Sequence, residues 1–190
     1  MRADALAEAL VARGALLDGH FRLSSGRHSD RFVQKFRILE DPAIVESIAK
    51  TLAVHAKTLA PTVVVSAAVG GIVLGYEVAR QLGLKAIFVE KENGVPALRR
   101  GFALEPGDRA FVVEDVVTTG GSVREVLDVV RACGAEAVGV GVIVRRQPSD
   151  FGVETVALLD LPVVSYDPEK CPQCRHGAAL TEPGSRFIAK

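Results

Sequence analysis

Glu114 and Asp115 stand side by side at the end of an apolar run, and the chain continues VVTTGGSV to Val123. An ionised carboxylate is costly to take out of water, so a buried strand has no structural use for two in a row. Thr118, Thr119 and Ser122 add hydroxyl donors, and Gly120 and Gly121 permit a close backbone approach. Ser122 and Glu125 have the spacing of a capping box, which predicts a helix starting near Ser122. The amides of Thr118 to Ser122 would then face a helix N-terminus, where the dipole favours an anion. The two acids would repel phosphate, and they suit sugar hydroxyls or a metal-bound ligand instead. A capped helix after a buried strand explains Ser122 and Glu125 but leaves the acids and threonines without a purpose. The lysine that a nucleotide-triphosphatase P-loop requires is absent. The stretch reads as a holder for something both anionic and rich in hydroxyls.

Such a turn needs a rigid frame. Helical periodicity is expected over Ala3–Ala12, and Asp41 and Pro42 mark the start of a second helix, with Ile44, Val45, Ile48 and Leu52 on one face. Between them, residues 21–39 read as two strand-like pieces around a polar turn at Gly26, with Phe32, Phe36 and Ile38 at even spacing. From residue 62 the pattern alternates. Strands are expected at 62–68, 85–90, 109–115, 137–146 and 153–160, with helices at 72–82 and 123–133. Apolar strands interleaved with helices predict an α/β fold, a central parallel sheet flanked by helices. Parallel sheets of this kind bind ligands beyond the carboxyl ends of their strands, which is where the acid pair falls.

The 190 residues suggest a single domain, 48% hydrophobic and 24% charged. Lysine plus arginine and aspartate plus glutamate balance at 23 each, so a general nucleic-acid binder is not expected. The uncharged stretch 58–76 is broken by Pro61 and three glycines and reads as strand, turn and helix start rather than a membrane span. The first ten residues are interrupted by Arg2, Asp4 and Glu8 and lack an apolar secretory core. With three cysteines, the expected location is the reducing cytoplasm.

An apolar strand, two acids, two apolar residues and TTGGS together resemble the phosphoribosyl-pyrophosphate motif of type I phosphoribosyltransferases. The resemblance implies that Glu114 and Asp115 hold the ribose hydroxyls and that Thr118, Thr119, Gly120, Gly121 and Ser122 wrap the 5-phosphate, beside Val116 and Val117. The first acid of that motif is often Asp. RLSSGRHSDRF (22–32) is similar to the N-terminal hood of orotate phosphoribosyltransferases, and VRRQ (144–147) to the strand end where that family sets an arginine on the orotate carboxylate. Arg146 is the matching position, and a planar guanidinium can grip a carboxylate through two parallel bonds. Thr118 would also face the base. With CPQCRHG and PGSR at the C-terminus, the chain looks nearest to the Thermus-type branch.

The resemblance implies transfer of the phosphoribosyl group to orotate, Mg2+ carried with the pyrophosphate, and a homodimer. Purine-base transfer and a non-catalytic regulator are the alternatives. It also implies a hood at 1–40, a core at 41–165 and an irregular appendage at 166–190. Lys91 matches a residue of the family's catalytic lid, and Arg99 and Arg100 add cations to the same segment. Many relatives carry lysines where this chain has Ser24 and Gly70. Cys171 and Cys174 form C-P-x-C with His176 two residues on, a knuckle that could hold structural Zn2+ although four ligands are usual and only three are local.

Overall fold

The computed structural model describes residues 1–23 and 25–183. Ser24 and the PGSR stretch beyond Pro183 lie outside the described residues. Along the chain the elements are α1 (Ala3–Ala12), β1 (Leu16–Arg22), β2 (His28–Val33), α2 (Phe36–Leu39), α3 (Pro42–Lys57), β3 (Val63–Ala67), α4 (Gly70–Leu82), β4 (Lys85–Glu92), β5 (Val95–Leu98), β6 (Arg109–Val117), α5 (Gly121–Ala132), β7 (Glu136–Arg145), β8 (Thr155–Asp160), β9 (Ser165–Tyr166) and α6 (Pro172–Arg175).

The main sheet has the order β5-β4-β3-β6-β7-β8. Its strands are parallel except β5, which returns antiparallel from β4 through Asn93 and Gly94, both at positive φ. A two-residue Asn-Gly loop of that kind matches the twist of the strands it joins. Both faces of the sheet are covered. Leu6 and Leu10 of α1, Ile48 and Leu52 of α3, and Leu74 and Val78 of α4 pack with Val64, Phe111 and Val113 on one side. Val123, Val126, Leu127 and Val130 of α5 pack with Val65, Val112, Val140 and Val142 on the other. Burial on both faces is why the strands read as continuous apolar runs, and each such side chain contributes about 1.5–3 kcal/mol.

A second, three-stranded antiparallel sheet joins β1, β2 and β9, so the last strand among the described residues completes a layer begun by the first two. The expected strand through Phe36 and Ile38 is instead the helical turn α2. Ile38 and Leu39 are buried in it, whereas Phe36 is exposed. Tertiary packing overrides the even spacing there, since four residues are too few for either period to be decisive. At Asp41 the expected cap is in place, its Oδ1 accepting from the amides of Ala43 (3.0 Å) and Ile44 (3.2 Å).

Candidate active site at the end of β6

β6 runs two residues past the acid pair, to Val117, and α5 begins at Gly121. The capping box is not formed. Gly120 is the cap residue, left-handed at φ 80°, and no side chain caps the helix. Glu125 instead pairs with Lys91 at 2.7 Å. The close approach of Phe151 and Arg124, 2.7 and 2.9 Å from where a Cβ at position 120 would lie, leaves room only for glycine there. Amides at the start of α5 are thus left without a side-chain partner of their own, which suits an anionic ligand.

A cavity of about 220 Å3 opens over this turn, lined by Glu114, the backbone and side chains from Val116 to Val123, Glu125 and, from β4, Lys91. Nearly every expected phosphoribosyl residue is therefore gathered around one space. Asp115 lies just outside that lining, only 1% exposed, with Lys35 at 2.8 Å from its Oδ2 and 3.0 Å from its Oδ1. Lys35 immediately precedes α2 and was not anticipated from the sequence. It lies 80 residues from its partner, and no spacing rule connects them.

The same ion pair explains Gly70. A Cβ at position 70 would come within 1.7 Å of Asp115 Oδ2 and 2.7 Å of Lys35 Nζ, so no side chain fits at the start of α4 while that pair is made. Glu114 Oε1 accepts from the Asp115 amide at 3.1 Å. Burial, with the charge of Asp115 next to it, pushes the Glu114 carboxyl up to about 8.

Of the two arginines at the end of β7, Arg145 is engaged, its Nε and Nη2 reaching Asp160 at 2.6 and 3.0 Å. Arg146 lies one residue past the strand, its amide donating to Val117 O at 2.8 Å, which sets it beside the site turn. Its Nε is buried without a hydrogen-bond partner among the described residues, and burial lowers the pKa of the guanidinium. A buried Nε–H without an acceptor is costly, and on a half-buried arginine it favours an anionic partner. On the β4–β5 hairpin, only Lys91 lines the cavity. Arg99 pairs with Glu92 at 2.5 Å and Arg100 with Glu90 at 3.0 Å, so both are held by the hairpin's own acids.

Residues 36–155 match the phosphoribosyl transferase domain. Over 190 residues, 99% of this chain and the full length of the relative, the sequence is 50% identical to orotate phosphoribosyltransferase of Pelotomaculum thermopropionicum. The chain belongs to the orotate phosphoribosyltransferase family. It is also 49% identical over 185 residues to the enzyme of Thermotoga petrophila, covering 95% of this chain and 98% of that one. The crystal structure of orotate phosphoribosyltransferase from Aeropyrum pernix superimposes with a TM-score of 0.67 at 30% identity, over 82% of this chain and 93% of that one. The type I phosphoribosyltransferase fold expected from the sequence is thereby shown.

The zinc knuckle needs correction. His176 is exposed and its Nδ1 contacts Pro172 O at 2.7 Å, within its own turn. The side chains that gather around Cys171 and Cys174 are instead His20 and His28 from the first sheet.

Proposed function

We propose that this orotate phosphoribosyltransferase binds phosphoribosyl pyrophosphate in the β6–α5 cavity and attaches its ribose to N1 of orotate, releasing pyrophosphate and orotidine 5′-monophosphate. The buried, unpartnered Nε of Arg146, set beside the site turn by its backbone bond to Val117, is the observation that supports orotate as the acceptor. In this reading the amides and hydroxyls of Thr118, Thr119, Gly120, Gly121 and Ser122 hold the 5-phosphate, next to Val116 and Val117. Glu114 faces the ribose hydroxyls, and a carboxyl pushed up to about 8 can donate to one of them as well as accept. Asp115 sits behind Glu114 at the ribose end of the site, and Lys35, at 2.8 Å from its Oδ2, holds it in orientation. Lys35 brings its ammonium to within 2.7 Å of where a side chain at position 70 would begin.

Glu114 lines the cavity and, on giving up its proton, would offer carboxylate oxygens, hard donors of the kind magnesium takes, to Mg2+ brought in with the substrate. When bound, Mg2+ neutralises charge on the departing pyrophosphate. The C1′–O bond breaks as the N1–C1′ bond forms, with positive charge growing on the ribose, so catalysis is mainly positioning and electrostatic stabilisation. Lys91 reaches the leaving pyrophosphate from the hairpin, exchanging its contact with Glu125 for the substrate. Thr118 and Arg146 orient the base. Orotate is already anionic, and no general base is assigned.

Val69, Val73 and Tyr76 stand exposed at helical spacing at the start of α4 and support a homodimer through this stripe. Among the described residues no helix is long and apolar enough to cross a membrane, and the family's setting supports a cytoplasmic location. A turnover panel of orotate, uracil, adenine and hypoxanthine tests the reading. Orotate alone should react, and turnover of a purine base without orotate would overturn it.

A further inference from the structure

His20 of β1, His28 of β2 and the two cysteines of the C-terminal segment bring one ligand atom each into a space where all four lie within 4.8 Å of one another. His20 Nε2 is 3.0 Å from His28 Nδ1, 3.5 Å from Cys171 Sγ and 3.6 Å from Cys174 Sγ, and Cys174 Sγ is 3.2 Å from His28 Nδ1. A tetrahedral zinc with arms of 2.0–2.3 Å spans ligand-to-ligand edges of roughly 3.3–3.8 Å, close to the spacings seen here. His20 and His28 are 5% and 6% exposed and Cys171 is fully buried, so the cluster is closed on three sides and open at Cys174. The other ring nitrogen of His20 meets Ala178 O at 2.9 Å, the kind of outer partner that fixes the tautomer of a metal-bound imidazole.

We propose that His20, His28, Cys171 and Cys174 form a structural zinc site that clamps the C-terminal segment onto the first sheet. The chemistry is that of a closed Cys2His2 centre, with no ligand position left for substrate. The surrounding contacts run the same way. Gln173 Nε2 donates to Gly19 O at 2.8 Å, Thr181 N to His20 O at 2.8 Å and Arg22 N to Thr181 O at 2.9 Å. Arg27, in the turn that follows β1, reaches Ser165 O at 2.7 Å and Asp167 at 2.5 Å. One ion would thus tie the stretch 22–32, which resembles the family's N-terminal hood, to the C-terminal segment. The clamp lies outside the β6–α5 cavity, and its test is independent of substrate identity.

The test is metal analysis of full-length protein purified without a polyhistidine tag, followed by exchange with Co2+. About one zinc per chain is expected in the wild type, in His176→Ala and in Cys133→Ser. Cys174→Ser, which alters the most exposed ligand and so disturbs folding least, should weaken zinc retention against a competing chelator by at least ~10-fold. His28→Ala should do the same. The cobalt protein should show the ligand-field bands of tetrahedral coordination, with thiolate charge-transfer absorption that Cys174→Ser diminishes. Three results would each overturn the site. They are no stoichiometric zinc in a folded wild type dialysed against ZnCl2, loss of zinc in His176→Ala, and a Cys171–Cys174 disulfide in protein prepared without oxygen.

Discussion

Ten of the eleven residues lining the cavity at the end of β6 lie between positions 114 and 125, whereas the four side chains of the zinc cluster come from positions 20, 28, 171 and 174. The first site is a short continuous piece of chain set at the junction of a buried strand and a helix. Its geometry follows from local rules: a strand ends, a glycine turns left-handed, and a helix N-terminus opens toward the cavity. The second exists only once the two ends of the chain have met. A site built from both termini couples metal, local sheet and tail in one equilibrium.

Variants should separate the two regions, beginning with the largest effect. Asp115→Asn keeps the shape of the β6–α5 site but removes its standing charge, and kcat should fall on the order of 10²–10³ with the melting temperature little changed. Near-normal turnover in a folded variant would remove Asp115 from the ribose. Arg146→Ala should raise KM for orotate, on the order of 10–100-fold, with phosphoribosyl-pyrophosphate binding nearly unchanged, because a buried charge pair is worth a few kcal/mol. An unchanged KM would mean that the orotate carboxylate is held elsewhere.

Lys35→Met tests the contact that joins the start of α2 to β6. Asp115 is left buried without a cation, which costs about 2 kcal/mol once the partial exposure of Lys35 is allowed for. The melting temperature should drop on the order of 4–8 °C. Activity should fall too, and a loss of stability with full activity would make Lys35 purely structural.

The pH dependence of stability offers a finer measurement. The folded Glu114 carboxyl titrates near 8, against an ordinary value of 4.5. Between those values the folded protein holds a proton that the unfolded chain has released. Stability from this group is therefore full below about pH 4.5, is lost as pH rises toward 8, and is level above that. Glu114→Gln should flatten this portion of the melting-temperature curve in substrate-free protein, and a difference between the two proteins that does not vary from pH 5 to 8 would count against the burial described. The smallest expected effect is that of His176→Ala, which should leave both activity and melting temperature unchanged because its ring contacts only its own turn.

The sequence by itself determined the parts that local chemistry dictates. The extents of α1 and the start of α3 follow from periodicity and from the Asp41–Pro42 cap, and the stretch from Glu114 with its threonines and glycines marks where the cavity forms. Local rules also misled where two of them competed. Ser122 and Glu125 had capping-box spacing, but a left-handed Gly120 starts the helix and Lys91 takes the glutamate. Phe36 and Ile38 alternated like a strand but fold as a helical turn. Only the tertiary structure decided which charges meet: Lys35 with Asp115 across 80 residues, Arg145 rather than Arg146 with Asp160, and the histidines of the first sheet with the cysteines of the tail. The physical reason is one of range. Helix periods, caps and turn glycines act over a few residues and leave a signature at fixed spacing, whereas an ion pair or metal site needs only that two side chains be close in space, and the sheet order that brings them together leaves no mark at either position.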